Sequence, residues 1–291
     1  MLPAGFEYVR AATPEEALAA LAAHGSDARV LAGGQSLIPA MRFRLAQPAV
    51  LVDIGAVGAL AYLREDGGFL HVGAMVRDAT LERSPLLAKY SLLADCSSVV
   101  ADPVVRHMGT IVGSLCHNDP AGDWATAALA SRAQVVVRGA SRERTVDIDE
   151  FIVDAFTTAV QDGEMAIEAK FPIPGPRTAG AYEKLERKVG DFATACAAVA
   201  VSLGDDGVCT SAGVAIGAVG TTALRVAKAE ATLVGQRLTD DVIASAAAEA
   251  SALADPVGDL RGSVAYKKDM ARVLVARALH RALARLEGAR A

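Results

Sequence analysis

The sequence predicts an α+β chain in two parts, on three observations. A glycine pair joins a short apolar strand to a helix near the N-terminus, three prolines fall between residues 172 and 176, and beyond them come strands first and helices second. Strands and helices that segregate along the chain pack as an α+β layer, whereas strict alternation would call for one parallel sheet.

In order, Thr13-Pro14-Glu15-Glu16 opens an Ala/Leu helix running to His24, with Thr13 as N-cap, Pro14 at the first helical position and acids in the first turn. Gly25 ends it. Arg29–Ala32 reads as a strand entering Gly33-Gly34, Gln35–Leu45 as a helix and Ala49–Ile54 as a second buried strand, a small βαβ-like unit. Phe69–Ala74 alternates like a strand, while Thr80–Tyr90 and Leu92–Val100 look helical up to the Asp102-Pro103 break. Gly109–Trp124, rich in Gly, Asn, Asp and Pro, reads as a loop before a short helix to Ser131. Strands follow at Gln134–Val137, Arg144–Asp147 and Glu164–Phe171. Pro172, Pro174 and Pro176 stop regular pairing and mark the boundary. Three strands (Gly180–Arg187, Thr194–Leu203, Val208–Val219) and three helical runs (Ala223–Val234, Asp240–Leu253, Val264–Leu286) complete the chain. The expected domains are residues 1–173, divided at about 56, and residues 177–291.

At 291 residues, 52% hydrophobic and 22% charged, the chain can bury a core without disulfide or metal staples. The net charge of −5 and the lack of a basic block argue against nucleic acid and anionic lipid as partners. Met1–Glu7 has no basic region leading into an apolar run, and Ala193–Leu203 is too short and too rich in small residues to span a bilayer. A cytoplasmic protein is expected, membrane-associated only through partners. Cys96, Cys116, Cys196 and Cys209 lie far apart, so they read as buried hydrophobes, and any metal centre is expected on another chain.

Three segments could carry chemistry. In Ala32-Gly33-Gly34-Gln35-Ser36 the glycines permit positive φ and close approach, free N–H groups can face an anion, and Ser36 adds a hydroxyl. A diphosphate suits it, and so does the plain role of a tight turn. Gly109-Thr110-Ile111-Val112-Gly113-Ser114 repeats that chemistry and leads to Asp119 and Asp123, acceptors for sugar hydroxyls. Metal binding with His107 and His117 is the rival there, and a self-solvating loop the bland alternative. In Tyr182–Ala193, Lys184 with Asp191 and Phe192 could face a redox ring, or form an exposed charged hairpin. Neither a P-loop nor a G-x-G-x-x-G fingerprint is present, and no G-x-S-x-G elbow.

Taken in order, these segments resemble the FAD-binding medium subunits of the molybdenum hydroxylases, closest to the carbon monoxide dehydrogenase branch. The resemblance runs nearly end to end: Phe6-Glu7-Tyr8, Thr13–Ala17, Ala32–Pro39, Val105-Arg106, Gly109-Thr110-Ile111, Asp119-Pro120, Arg187 with Gly190–Ala193, and Ala215–Gly220. It implies a two-subdomain FAD-binding fold of the vanillyl-alcohol-oxidase/PCMH-like type, followed by a small α+β domain with a three-stranded antiparallel sheet and helices. It further implies that Ala32, Gly33, Gly34, Gln35 and Ser36 grip the FAD pyrophosphate together with Thr110, Ile111, Gly113 and Ser114. Asp119 and Asp123 match the loop near the ribityl and ribose hydroxyls, and Lys184, Asp191 and Phe192 match positions around the isoalloxazine. No residue is expected to be catalytic by itself. The implied role is electron relay, because the cofactor carries the redox chemistry and the protein positions it. The implied partners are a large subunit with the molybdenum cofactor and a small subunit with two iron–sulfur (2Fe–2S) clusters, in a dimer of heterotrimers that delivers electrons to an acceptor such as a quinone. The alternatives are the same role in a purine, N-heterocycle or aromatic dehydrogenase, a stand-alone flavoprotein of this fold, and a scaffold that has lost FAD.

Two positions depart from the family pattern. Val112 stands where relatives carry glycine, which would strain the backbone if φ is positive there, and His107 stands where they tend to carry Asn.

Overall fold

The computed structural model describes residues 2–288. A first layer holds β1 (Glu7–Arg10), α1 (Pro14–His24), β2 (Ala28–Leu31), α2 (Leu37–Arg42) and β3 (Val50–Asp53), with both other strands parallel to the central β3. Thr13 Oγ1 caps α1 by accepting from Glu16 N at 3.1 Å, as the sequence predicts. β1 is an addition to the sequence reading, and α2 is shorter than expected because Arg44 turns the chain at φ 58°.

The second layer contains β4 (Leu63–Asp66), β5 (Phe69–Gly73), α3 (Asp78–Glu82), α4 (Ser91–Val99), α5 (Pro103–Met108), α6 (Ile111–His117), α7 (Asp123–Ala130), β6 (Gln134–Arg138), β7 (Glu143–Asp147), α8 (Ile148–Phe151), β8 (Ile152–Asp154), β9 (Thr157–Thr158) and β10 (Met165–Pro172). Five of its strands form an antiparallel sheet in the order β4-β5-β10-β6-β7. The helix expected over Thr80–Tyr90 is broken into α3 and a 3-10 turn, since Pro85 cannot continue the hydrogen-bond ladder. The loop expected over Gly109–Trp124 instead contains α6, and only its second half, with Asn118 left-handed at φ 47°, is irregular.

The last part comprises β11 (Thr178–Leu185), β12 (Ala195–Leu203), β13 (Cys209–Gly217), β14 (Leu224–Arg225), α9 (Ala227–Leu233), α10 (Asp240–Leu253) and α11 (Val264–Gly288). The antiparallel sheet has four strands rather than three, because two residues ahead of α9 pair with the edge of β13. Both of its faces are covered. Cys196, Ala198 and Ala215 join the core around Trp124, Phe151 and Phe171, while Ala195, Ala197, Val199 and Ile216 join the core under α10 and α11. A strand buried on both faces reads as a continuous apolar run, which explains the composition of Ala193–Leu203. It also explains the small residues: a Cβ on Gly213 would lie 1.9 Å from Ala130 O, so α7 packs directly on the sheet backbone. All eight residues of α7 are buried. No described helix is long and apolar enough to cross a membrane.

Candidate functional site

The first glycine turn leaves the C-terminal end of β2 and sits beside the second. A Cβ on Gly33 would lie 2.4 Å from Met108 O and 2.9 Å from Gly109 Cα, so only glycine lets the two segments touch. Ala32 leads into the turn and Gly34 completes it at φ 72°. The Gln35 side chain donates to Gly33 O at 3.2 Å, and Ser36 precedes α2 without capping it. Among the described residues, the amides of Gly33, Gly34, Gln35 and Ser36 donate to no protein acceptor.

The second turn is built by a cap. Thr110 Oγ1 accepts from Gly113 N at 3.1 Å, and a Cβ on Gly113 would fall 2.6 Å from that oxygen. Ser114 N donates to Thr110 O at 2.9 Å, whereas the Val112 amide has no protein acceptor among the described residues. The Ile111 and Val112 side chains are buried in the core. Val112 therefore lies inside α6 and is absent from the residues with positive φ, so the strain its sequence position suggests does not arise. Two half-buried turns with open N–H groups, pressed side by side, form a cradle of the kind that holds a diphosphate.

Two residues that brace this cradle, Asp78 and Arg77, are not marked by the sequence. Asp78 N donates to Gly109 O at 3.1 Å, and Asp78 Oδ1 accepts from Trp124 Nε1 at 2.9 Å. Burial pushes the Asp78 carboxyl up to about 7, against the Trp124 hydrogen bond and the Arg106 charge. Arg77 pairs with Thr110 in an isolated antiparallel bridge and donates from its guanidinium to Met108 O. Nothing local announces them; only the apolar run Ala74-Met75-Val76 ending in two charges sets them apart.

The remaining candidates divide. Asp123 and Lys184, expected at a loop and on a strand edge, meet inside the protein at 3.1 Å with side chains 8% and 3% exposed. Asp123 Oδ1 accepts from the Tyr182 hydroxyl at 2.6 Å, and Lys184 Nζ donates to Val99 O at 3.0 Å. Burial raises the Asp123 carboxyl, with Lys184 the largest opposing influence. The exposed-hairpin alternative for Lys184 is thus corrected: β11 turns it inward, onto the start of α7. Asp119 is half-buried; its Oδ1 accepts from Ala121 N at 2.9 Å and its Oδ2 lies 3.8 Å from His117 Nε2. Among the described residues, no three His, Cys, Asp or Glu side chains gather as metal ligands. His107 lies instead against Arg83, with Arg83 Nη2 and His107 Nε2 3.3 Å apart.

Asp191 and Phe192 lie on an exposed loop tied down by Arg261, which donates to Phe192 O at 2.6 Å and to Asp191 Oδ1 at 3.1 Å. Phe192 is 52% exposed. Glu186 Oε2 and Asp191 Oδ2 are buried oxygens that make no hydrogen bond among the described residues, but each faces a cation at 3.5 Å, Lys184 Nζ and Arg187 Nε respectively.

Comparison with known proteins accounts for this combination. Residues 4–174 match the family described as "FAD binding domain in molybdopterin dehydrogenase", and residues 180–282 match "CO dehydrogenase flavoprotein C-terminal domain". The carbon monoxide dehydrogenase medium chain of Hydrogenophaga pseudoflava is 39% identical over 98% of this chain and 99% of its own. The 6-hydroxypseudooxynicotine dehydrogenase complex subunit alpha of Paenarthrobacter nicotinovorans is 36% identical over 98% and 97%. A solved structure of carbon monoxide dehydrogenase from Hydrogenophaga pseudoflava, lacking the Mo-pyranopterin moiety of its cofactor, superposes with a TM-score of 0.95 at 40% identity over 98% of this chain and 99% of that one. The open glycine cradle fits the diphosphate of a dinucleotide. This chain belongs to the FAD-binding medium subunits of the molybdopterin dehydrogenases, an oxidoreductase family, and carries the C-terminal domain of its carbon monoxide dehydrogenase flavoproteins.

Proposed function

We propose that this chain holds FAD as the electron-relay subunit of a molybdenum hydroxylase that oxidises carbon monoxide. The observation that carries the reading is the contact between the two glycine turns, with open amides on both. When bound, FAD supplies the redox chemistry, accepting electrons from a partner's iron–sulfur clusters and giving them to an external acceptor. The chain's residues then bind and orient it. Gly33 to Ser36 and Val112 present N–H groups to the diphosphate, with Ala32, Thr110, Ile111, Gly113 and Ser114 shaping the two turns. Asp119 would accept from a sugar hydroxyl. Asp123 and Lys184 form a rigid floor, and Asp191 with Phe192 flanks the ring from the loop that Arg261 fixes.

The proposed working assembly is a dimer of heterotrimers with a large molybdenum-cofactor subunit and a small iron–sulfur subunit, cytoplasmic and reaching a quinone at the membrane through its partners. The two structural units taken as domains are residues 1–173 and 177–291, the first divided near residue 56. A second substrate class has a specific observation in its favour. A relative named for a pyridine-alkaloid derivative is 36% identical, close to the 39% of the carbon monoxide relative, so the same relay in an N-heterocycle dehydrogenase is the competing reading. The scaffold reading rested on Val112, and it loses that ground with Val112 unstrained inside α6.

The test is a visible spectrum of the native complex before and after carbon monoxide, with flavin analysis. We expect about one flavin per copy of this chain and bleaching on addition of the gas. Flavin without bleaching transfers the relay to another substrate, and a complex without flavin overturns the proposal.

A further inference from the structure

The two glycine turns offer N–H groups suited to an anion, yet two carboxyl groups, those of Asp53 and Asp78, lie near them. Asp53 ends β3, where its Oδ1 accepts from Gly55 N at 2.7 Å and its Oδ2 from the Tyr8 hydroxyl, and Asp78 lies behind Gly109. A dinucleotide's diphosphate brings two further negative charges into this setting. A cation beside the turns would offset them.

The neighbouring arginines differ in what they are already doing. Arg106 donates to Glu82 at 3.0 Å and to Val100 O and Ala101 O at 3.0 and 3.1 Å, so its fork is committed. Arg83 contacts His107 at 3.3 Å. Arg77 is half-buried, and among the described residues its one protein acceptor is Met108 O. That carbonyl is the atom a Cβ on Gly33 would strike, so the Arg77 guanidinium reaches the point where the two turns meet. Its own backbone is locked to the second turn by the bridge to Thr110 and by the Asp78 N bond to Gly109 O. A guanidinium carries five donors in a planar fork, and this one uses a small part of them.

We propose that Arg77 is a ligand of the dinucleotide's diphosphate, a side-chain cation placed at the junction of two backbone cradles. The inference rests on the FAD reading above and adds to it a residue outside both glycine segments. Burial is the largest influence on Arg77 and disfavours its charged form, while the nearby Asp53 and Asp78 carboxyl groups oppose it. The competing role is structural, in which Arg77 only fixes the Met108 carbonyl.

The experiment removes flavin from the native complex and titrates it back with FAD and, separately, with riboflavin, which lacks phosphate. Wild type, Arg77→Lys and Arg77→Met are compared at two ionic strengths by flavin fluorescence. Arg77→Met is expected to raise the Kd for FAD by about tenfold to hundredfold, the range of a charge-assisted hydrogen bond, with riboflavin binding unchanged and a flatter salt dependence. Arg77→Lys keeps the charge and loses the fork, so it is expected to fall between. If Arg77→Met does not assemble, the Lys variant decides by the same FAD-against-riboflavin contrast. Equal losses for both ligands, or FAD affinity and salt dependence like wild type, overturn the role of Arg77 while leaving FAD in place. A wild-type complex that takes up no FAD overturns the underlying reading instead.

Discussion

At the glycine turns the hydrogen-bonding groups are backbone amides without a protein acceptor among the described residues, whereas around Lys184 and Asp123 they are side chains closed on one another inside the protein. The first arrangement is rigid, untitratable and shaped by the absence of side chains; the second depends on two opposite charges remaining together at low exposure. Both belong to the site proposed for one cofactor, but they fail differently. Damage to the turns should remove the ligand and spare the fold. Damage to the pair should strike the fold first.

Lys184→Met is expected to have the largest effect, because it strands Asp123 and the buried Glu186 oxygen without their cation. Breaking a buried pair from one side costs about 3–5 kcal/mol, and urea unfolding of the full chain should register it. A variant that unfolds like wild type yet lacks flavin would make the pair a ligand device and erase the contrast. Gly33→Ala comes next. Its methyl meets backbone atoms of Met108 and Gly109 that cannot rotate away, so the turns must separate at a cost of about 1–3 kcal/mol. The sharper signature is composition: the purified complex should contain little flavin while its Tm falls only a few degrees. Full flavin occupancy in Gly33→Ala would show that the contact between the turns is dispensable.

The same contrast governs what the sequence could disclose. Glycine turns are legible because the residue type itself states the backbone requirement, and Gly33, Gly34 and Gly113 each prove to sit where a side chain would collide. The helices α1, α10 and α11 and the long strands β11 to β13 are legible from caps and apolar runs. The short helix α6 was hidden by its glycine and by the Asn-Asp-Pro that follows, although Thr110 followed by Ile111, Val112 and Leu115 carries a cap and one apolar face. β1 and β4 are four-residue strands whose pairing comes from distant partners, beyond the reach of local pattern. Lys184 and Asp123 are 61 residues apart, and no local signal shows that β11 will lay one over the other. Asp78 and Arg77 belong to the same class, since their roles exist only once Gly109 and Met108 are folded against them.

Asp78 offers the finest test, since it bridges the two regimes: its backbone holds the open turn, while its carboxyl is closed on Trp124. Burial raises that carboxyl from 3.8 to about 7, so between those values the folded chain keeps a proton that the unfolded chain has lost. The folded state then binds more protons, and the stability Asp78 contributes falls as pH rises, by at most about 1.4 kcal/mol per pH unit. It is fully present below about 3.8 and gone above about 7. Arg106 and Arg77 oppose the rise and Asp123 adds to it, while other carboxylates held low by ion pairs, such as Glu164 beside Arg144, slope the opposite way. The Asp78 share must therefore be read as a difference. Asp78→Asn keeps an oxygen for Trp124 Nε1 and cannot titrate, so wild type minus variant should decline through the acid range and run flat above about 7. A flat difference throughout would mean that Asp78 stays ionised in the fold, with Arg77 and Arg106 rather than burial deciding its charge.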